Sequence, residues 1–337
     1  MRRPIPPPRR HCLNHHPESS PAGPARHTPR FPTRRSPDAA FGEAIADTWH
    51  RTHGAKRLDI PAGIVATLAL WPTKTEGAWH AQQLADFIAN QPAEKWPDTV
   101  GEVASVHWVQ RPDLISTAAP ILRWAEDEHS PDTLYAIKAV ALTALKHGIL
   151  HHTGDRDPAL RSDTDLMSWT ITALRHRGDR SWLGEFHTTS DVADAMSRLS
   201  MGAHPPAVSS LYECAGGTGG MFRAAAQHLR TCSVDPRRWT WHLQDLDPIA
   251  AAGAAVNFLI WDLGPNATVA CGNVLSQGDL HTQALKARAE LEELRDRLAD
   301  KAASTVAQLR TLRMLEDLGI CSPPPHARPE NSDQSAA

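Results

Sequence analysis

Tyrosine, cysteine and long apolar runs are the scarce features of this 337-residue chain: it has two tyrosines and five cysteines. The cysteines stand apart at Cys12, Cys214, Cys232, Cys271 and Cys321. No paired spacing links them, which excludes a disulfide scaffold and suits a reducing, cytoplasmic setting. No apolar stretch approaches the length of a membrane span, so a membrane role is not expected. A surplus of base is missing too: 35 Lys and Arg face 38 Asp and Glu, a formal net charge of −3. Any contact with nucleic acid must then come from a local patch rather than a global field. The N-terminus is rich in arginine but has no apolar segment behind it, so it does not read as a secretory signal. Metal-ligand spacing is also lacking. His11, Cys12, His15 and His16 lie in a proline-rich tail, and Gly148 interrupts His147 and His151, so no metal site is expected. No Ser/His/Asp or Cys/His nucleophilic arrangement can be argued from residue order.

What is present divides the chain. Residues 1–37 are dense in proline and arginine and poor in large apolar groups, the composition of a disordered tail. Residues 38–180 read as a helical domain. Phe41, Ile45 and Trp49 recur every fourth residue, Trp79, Leu84, Phe87 and Ile88 make a second stripe, and Leu114, Ile121 and Trp124 a third. Pro131-Asp132 opens a helix through Leu134, Ile137, Val140, Leu142 and Leu145, closed by Gly148, and Leu166, Trp169, Ile171 and Leu174 make another. The tryptophans are expected as core anchors.

Residues 181–280 change grammar to alternating helix and strand. Thr188-Thr189-Ser190-Asp191 starts a helix expected to bury Val192, Ala193, Met196 and Leu199. Strands are expected at Val208–Tyr212, Trp239–Leu243 and Thr268–Cys271, with Asp247-Pro248 opening the helix after the second. A β-α-β-α-β order implies parallel strands with right-handed crossovers. Residues 281–320 form one long helix. In it Leu291, Leu294 and Leu298 start an apolar seam that Leu309, Leu312 and Leu315 resume out of phase. That seam fits a protein partner, a second copy, or packing back on its own domain. Residues 321–337 are a polar tail.

The stretch that carries chemistry is Leu211-Tyr212-Glu213-Cys214-Ala215-Gly216-Gly217-Thr218-Gly219-Gly220, a strand, a glycine loop and a helix start. Such a loop lets backbone approach a ligand beside free helix N–H groups. Glu213 at the strand end disfavours pyrophosphate and favours a cationic ligand such as S-adenosylmethionine; it equally fits anchoring the loop's own amides. Asp245, ending the second strand, suits two ribose hydroxyls or a strand-end cap. Asn273 suits an adenine edge or a simple turn.

These stretches resemble the amino-methylating DNA methyltransferases, and most closely the modification subunit of type I restriction-modification systems, the N6-adenine family. The likeness rests on Gly184-Glu185-Phe186-His187-Thr188-Thr189, the glycine loop, Gln244-Asp245-Leu246-Asp247-Pro248 with Asn257, and Gly272-Asn273-Val274-Leu275. It covers roughly Asp38 to Asp279. It implies an α/β fold: a helical N-terminal domain, then a truncated Rossmann-like methyltransferase domain, then the long helix. It implies S-adenosylmethionine as cofactor, held by Thr188, Glu213, Gly217, Gly219, Asp245 and Asn273, and DNA as partner. Glu213 stands where the family has aspartate, Asp245 where glutamate is usual, and Asn273 where aspartate is usual. The family's Asn/Asp-Pro-Pro-Tyr/Phe turn, which grips the target amine and stacks on the base, has no match after Leu275. The near match Ser322-Pro323-Pro324-Pro325-His326 lacks the aromatic ring and follows a charged helix. The resemblance thus implies the cofactor half of an adenine-N6 methyltransferase with no catalytic residue identified. The alternative is a non-catalytic module that pairs through its C-terminal helix.

Overall fold

The computed structural model describes residues 37–75, 78–175 and 188–318. They are mostly helical, with one small parallel sheet. The helical part comprises α1 (Pro37–Thr52), α2 (Asp59–Ala69), α3 (Ala78–Ala89), α4 (Trp96–Gln110), α5 (Pro112–Leu122), α6 (Pro131–Lys146), the short α7 (Ile149–Thr153) and α8 (Pro158–Arg161), and α9 (Leu166–Leu174). After residue 188 come α10 (Ser190–Met201), β1 (Ser210–Glu213), α11 (Gly220–Thr231), β2 (Thr240–Asp245), α12 (Pro248–Ile260), β3 (Ala267–Cys271) and α13 (Leu280–Asp317).

Two helices are apolar on every side, and the core is built around them. In α2 every residue from Ile60 to Ala69 is buried, and in α12 every residue from Ala250 to Phe258 is buried. A helix without a polar face has to be enclosed. α2 is enclosed by α4, α5, α6, α7 and α9; α12 lies between the sheet on one side and α5 and α9 on the other. Their small residues permit close approach. A Cβ on Gly63 would stand 1.9 Å from the Ile121 carbonyl oxygen and 2.3 Å from the Trp124 indole nitrogen.

The strands run parallel in the order β1-β2-β3, with Glu213 opposite Leu243 and Asp245 opposite Cys271. The loop helices α11 and α12 share one face of the sheet, where Phe222 meets both Trp241 of β2 and Phe258 of α12. Alternation along β2 sends His242 to the other face, and there the first turn of α13 crosses it, with the His242 and His281 rings 3.4 Å apart at their centroids. Packed against α13, His242 is held below its ordinary pKa, to about 4, by burial and by the neighbouring His281. The strands fall within a residue or two of their expected spans.

Arginines from the helical part satisfy carbonyls at the far end of the sheet layer. Arg111, paired with Asp113 at 2.7 Å, donates to the carbonyls of Gly264 and Ala267. Arg161 donates to Ile260 at 2.7 Å, and Arg230 of α11 to Trp261. The last two cap the orphan carbonyls at the C-terminus of α12, where cations are favoured.

Several expected stripes are narrower than their apolar pattern. In α3, Ala81, Ala85 and Ile88 are buried, whereas Trp79 and Phe87 are 66% and 67% exposed. The three buried residues, spaced i, i+4, i+7, make one face against α6 and α7. In α6, Ile137 and Val140 are buried while Leu142 points outward, and in α9 Trp169 is partly exposed. In α10, Ala193 is buried but Val192, Met196 and Leu199 face outward, Leu199 at 84% exposure. The cause is the docking mode: α10 meets α11 through the small pair Ala193 and Ser197 and through an Asp194–Arg223 ion pair at 2.9 Å.

Gly63→Ala is expected to lower stability by about 1–3 kcal/mol through overpacking. Gly101→Ala, where a Cβ meets nothing within 4 Å, is expected to leave stability unchanged or slightly raised. Urea unfolding of the two variants checks this. Lys74 supplies a pH signature. Its ammonium donates to the carbonyls of Ala69 (3.1 Å) and Thr153 (3.0 Å). Burial, reinforced by Arg161, lowers its pKa from 10.5 to about 7. The unfolded chain then holds one more proton between those values, so stability rises with pH across that window. Lys74→Met is expected to flatten that rise in urea midpoints measured from pH 7 to 10.

Candidate functional site

The expected site residues converge at the carboxyl ends of the strands. β1 ends at Glu213, and the chain then turns through the glycine loop into α11. Two glycines take left-handed backbone, Gly217 with φ +55° and Gly219 with φ +94°. The two differ in surroundings. A Cβ on Gly219 would meet Trp261 at 3.3 Å and Phe258 at 3.4 Å, so this glycine lies on the aromatic core. A Cβ on Gly217 would meet nothing within 4 Å: its outer side is open space. Conformation is therefore the constraint at Gly217, and its backbone is accessible to a ligand.

Asp245 organises the front of the loop. One oxygen accepts the Gly217 N–H at 2.7 Å, and the other accepts the Asp247 N–H at 2.9 Å. Its backbone carbonyl accepts the Gly272 N–H at 2.9 Å, which ties in the turn after β3. Asp247 caps α12, accepting from the N–H groups of Ile249 (3.2 Å) and Ala250 (2.8 Å), with Pro248 at the first helical position. It also forms a close ion pair with Arg175, just beyond α9. Glu213 is half-buried, and its carboxylate accepts the Ala215 N–H at 3.3 Å. Asn273 is exposed and accepts the Leu275 N–H at 2.9 Å, a turn contact that uses its side-chain oxygen. Burial together with Asp247 and Asp245 raises the pKa of the neighbouring Cys271 thiol.

Thr188 is exposed, two residues before α10. Asp194 meets Arg223 near the start of α11, and the Gly202 carbonyl meets His228 near its end. α10 and α11 therefore run in the same direction, which puts Thr188 at the glycine-loop end. The stretch Gly184–His187 that precedes it lies outside the described residues.

The back of the loop holds a carboxylate that the sequence motifs did not single out, joined to Thr218 and Asn257 of the motif stretches. Asp165, the cap of α9, is buried and accepts three hydrogen bonds: from the Ser168 N–H (2.9 Å), the Thr218 hydroxyl (2.8 Å) and the Asn257 amide (2.8 Å). Asn257 also donates to the Thr218 carbonyl at 2.9 Å. Burial raises the pKa of the Asp165 carboxyl, while its three donors and the nearby Arg223 oppose that shift. A capping aspartate before Leu166 was readable locally; its reach to Thr218 was not.

No family model matches this chain, and no curated protein matches it. Among solved structures it is similar to the methyltransferase subunit of a type I restriction-modification system from Streptococcus thermophilus, with 13% identity and a TM-score of 0.40. The match covers 72% of this chain and 60% of that one, so this chain spans about three fifths of that subunit. The likeness is distant. Among the described residues no cluster of three or more His, Cys, Asp or Glu is arranged to hold a metal ion, and no helix is long and apolar enough to cross a membrane.

Asp165→Ala is expected to lower stability by about 2–4 kcal/mol, because it strands three donors in the core. Thr218→Ala, which removes a single donor, is expected to cost about 1 kcal/mol. The raised pKa adds a sign. Asp165 stabilises most below its ordinary 3.8, and that contribution is lost as pH rises through the folded value. Asp165→Asn is expected to flatten this fall in a urea-midpoint series run upward from about pH 4.

Proposed function

We propose that this chain binds S-adenosylmethionine at the carboxyl ends of β1, β2 and β3, and is the cofactor-holding part of an adenine-N6 DNA methyltransferase of restriction-modification type. The observation that carries the reading is Gly217: a left-handed turn with open space over it, hung by its own N–H from the Asp245 carboxylate. The residues present fit the group. Each Asp245 oxygen accepts one backbone N–H and keeps a second lone pair, which suits ribose hydroxyls. Glu213, half-exposed, takes the α-amino group. Asn273 keeps its amide donors for the adenine edge. Thr188 stands at the methionine end, and Gly217 and Gly219 allow close backbone approach. The acids Glu213 and Asp245 repel a polyphosphate and attract a sulfonium, while Asp247 is matched by Arg175.

When bound, the cofactor supplies an electrophilic methyl group. The work of this chain's residues is to hold and orient it: Asp245 fixes both the ligand and the loop, and the Asp165 cluster fixes the loop from behind. Gripping the target amine is assigned to no residue here, since the sequence after Leu275 carries no Asn-Pro-Pro-aromatic turn.

Calorimetry with the full chain tests the reading. S-adenosylmethionine and S-adenosylhomocysteine are expected to bind and ATP is not. Asp245→Ala is expected to weaken binding by about tenfold or more, the worth of a charged hydrogen bond. Absence of heat with S-adenosylmethionine at about millimolar concentration, or equal heat with ATP, overturns it.

A further inference from the structure

The last helix is a rod that outruns the body. α13 has 38 residues, about 57 Å at 1.5 Å per residue. Its first turns dock: Leu280 is buried, His281 packs on His242, Arg288 donates to the Pro265 carbonyl, and Leu291, Glu292 and Arg295 are half-buried. From Asp296 to Leu318 every residue except Leu315 is exposed.

The overhang carries an ordered pattern. At 100° per residue, Leu291, Leu294, Leu298, Ala302, Thr305, Leu309 and Leu312 fall within about 40° of one line. The step from Leu298 to Leu309, out of phase for a heptad, is three turns of a straight helix. Leu315 falls off the line. Leu280 and Leu291 on this line dock on the body, whose contact face is centred about 60° toward the Arg295 side; beyond the body the stripe is bare, with Leu298 and Leu309 about half exposed. An apolar stripe on a helix with no tertiary contact has nothing to stabilise it except a partner.

The charges beside the stripe say which partner. Arg295, three before Leu298, and Arg313, four after Leu309, lie on one flank. Lys301, three after Leu298, lies on the other, with Arg297 beyond it. The acids Glu293, Asp296 and Asp300 lie on the opposite side, Asp317 lies outside Arg313 on its flank, and Glu316 falls on the line of the stripe and ends it. Among the described residues the ion pairs of α13 are Lys286–Glu290, Arg288–Glu292, Arg295–Asp296 and Arg297–Glu293, all in its N-terminal half. Lys301, Arg310 and Arg313 are outside them. A second copy is disfavoured by these flanks. Antiparallel pairing of Leu298 with Leu309 sets Arg295 against Arg313, and parallel pairing sets the Lys301 flank beside the Arg295 flank.

We propose that the overhang of α13 docks an amphipathic helix of another protein, one whose apolar seam is flanked by aspartate and glutamate. Apolar residues supply the contact and the basic flanks select against other helices. The proposal is independent of the cofactor reading.

Fluorescence anisotropy with the full chain tests it. The probes are a labelled helical peptide with a leucine seam flanked by glutamate, the same seam flanked by lysine, and a labelled DNA duplex. The glutamate peptide is expected to bind at least tenfold tighter than the lysine peptide and to weaken with salt. Leu309→Asp, an exposed position, is expected to abolish binding with the circular dichroism spectrum unchanged. Lys301→Glu with Arg313→Glu is expected to reverse the preference between peptides. Four results overturn the proposal: equal binding of the two peptides, binding of neither, a duplex that binds better and ignores Leu309→Asp, or sedimentation showing that the chain alone dimerises through Leu309.

Discussion

The glycine loop is held from behind by one buried carboxylate. Asp165 caps α9 and, 53 residues on in the chain, takes the hydroxyl of Thr218 in the glycine loop. Through Asn257 it also takes hold of α12, 92 residues away. A carboxylate so placed is unfavourable unless its lone pairs are filled, and here three donors fill them. A cap, a loop and a core helix thus meet at a group that tolerates few alternatives, so the loop conformation is set from behind before any ligand meets it from the front.

The packing around that point follows from composition. Alanine and glycine make α2 and α12 slim enough to be enclosed, and the large volumes come from tryptophan and phenylalanine: Trp241, Trp261, Phe222 and Phe258 pack beneath the loop. Indole N–H groups need partners. Trp241 donates to the Pro236 carbonyl and Trp239 to the Pro206 carbonyl, which pins the approaches to β1 and β2. Arginines close the remaining open carbonyls. The layer that carries the site and the helices beside it are therefore joined by both apolar area and charged hydrogen bonds.

Features whose cause is local were legible in the sequence. Asp247-Pro248 starts a helix because the cap and the proline act within three residues, and Gly217 turns left-handed because nothing else does so freely. The three strands and their parallel order followed from alternation with helices. What stayed hidden is relational. The pattern in α10 records that Val192, Met196 and Leu199 are apolar, not that the neighbouring helix is met through Ala193, Asp194 and Ser197. Trp79 and Phe87 read as core because large aromatics usually are, yet α3 needs only its small face. Asp165 carried no motif, because its meaning lies in Thr218 and Asn257, far away in the chain. The double duty of Asp245 was hidden as well: a strand-end acid is visible, its bond to the Gly217 amide is not.

The bond between Asp165 and Thr218 also bears on modularity. A strand–loop–helix unit of this kind looks portable, a cassette to be cut out and grafted elsewhere. Here the cassette borrows its rear wall from a helix cap that precedes it in the chain. Excised alone, it would expose α12 and strand Thr218 and Asn257; grafted onto a foreign scaffold, it would need a new carboxylate in the same place. A cut anywhere between Asp165 and Thr218 would part the wall from the loop it holds, so the two sides are not independent parts.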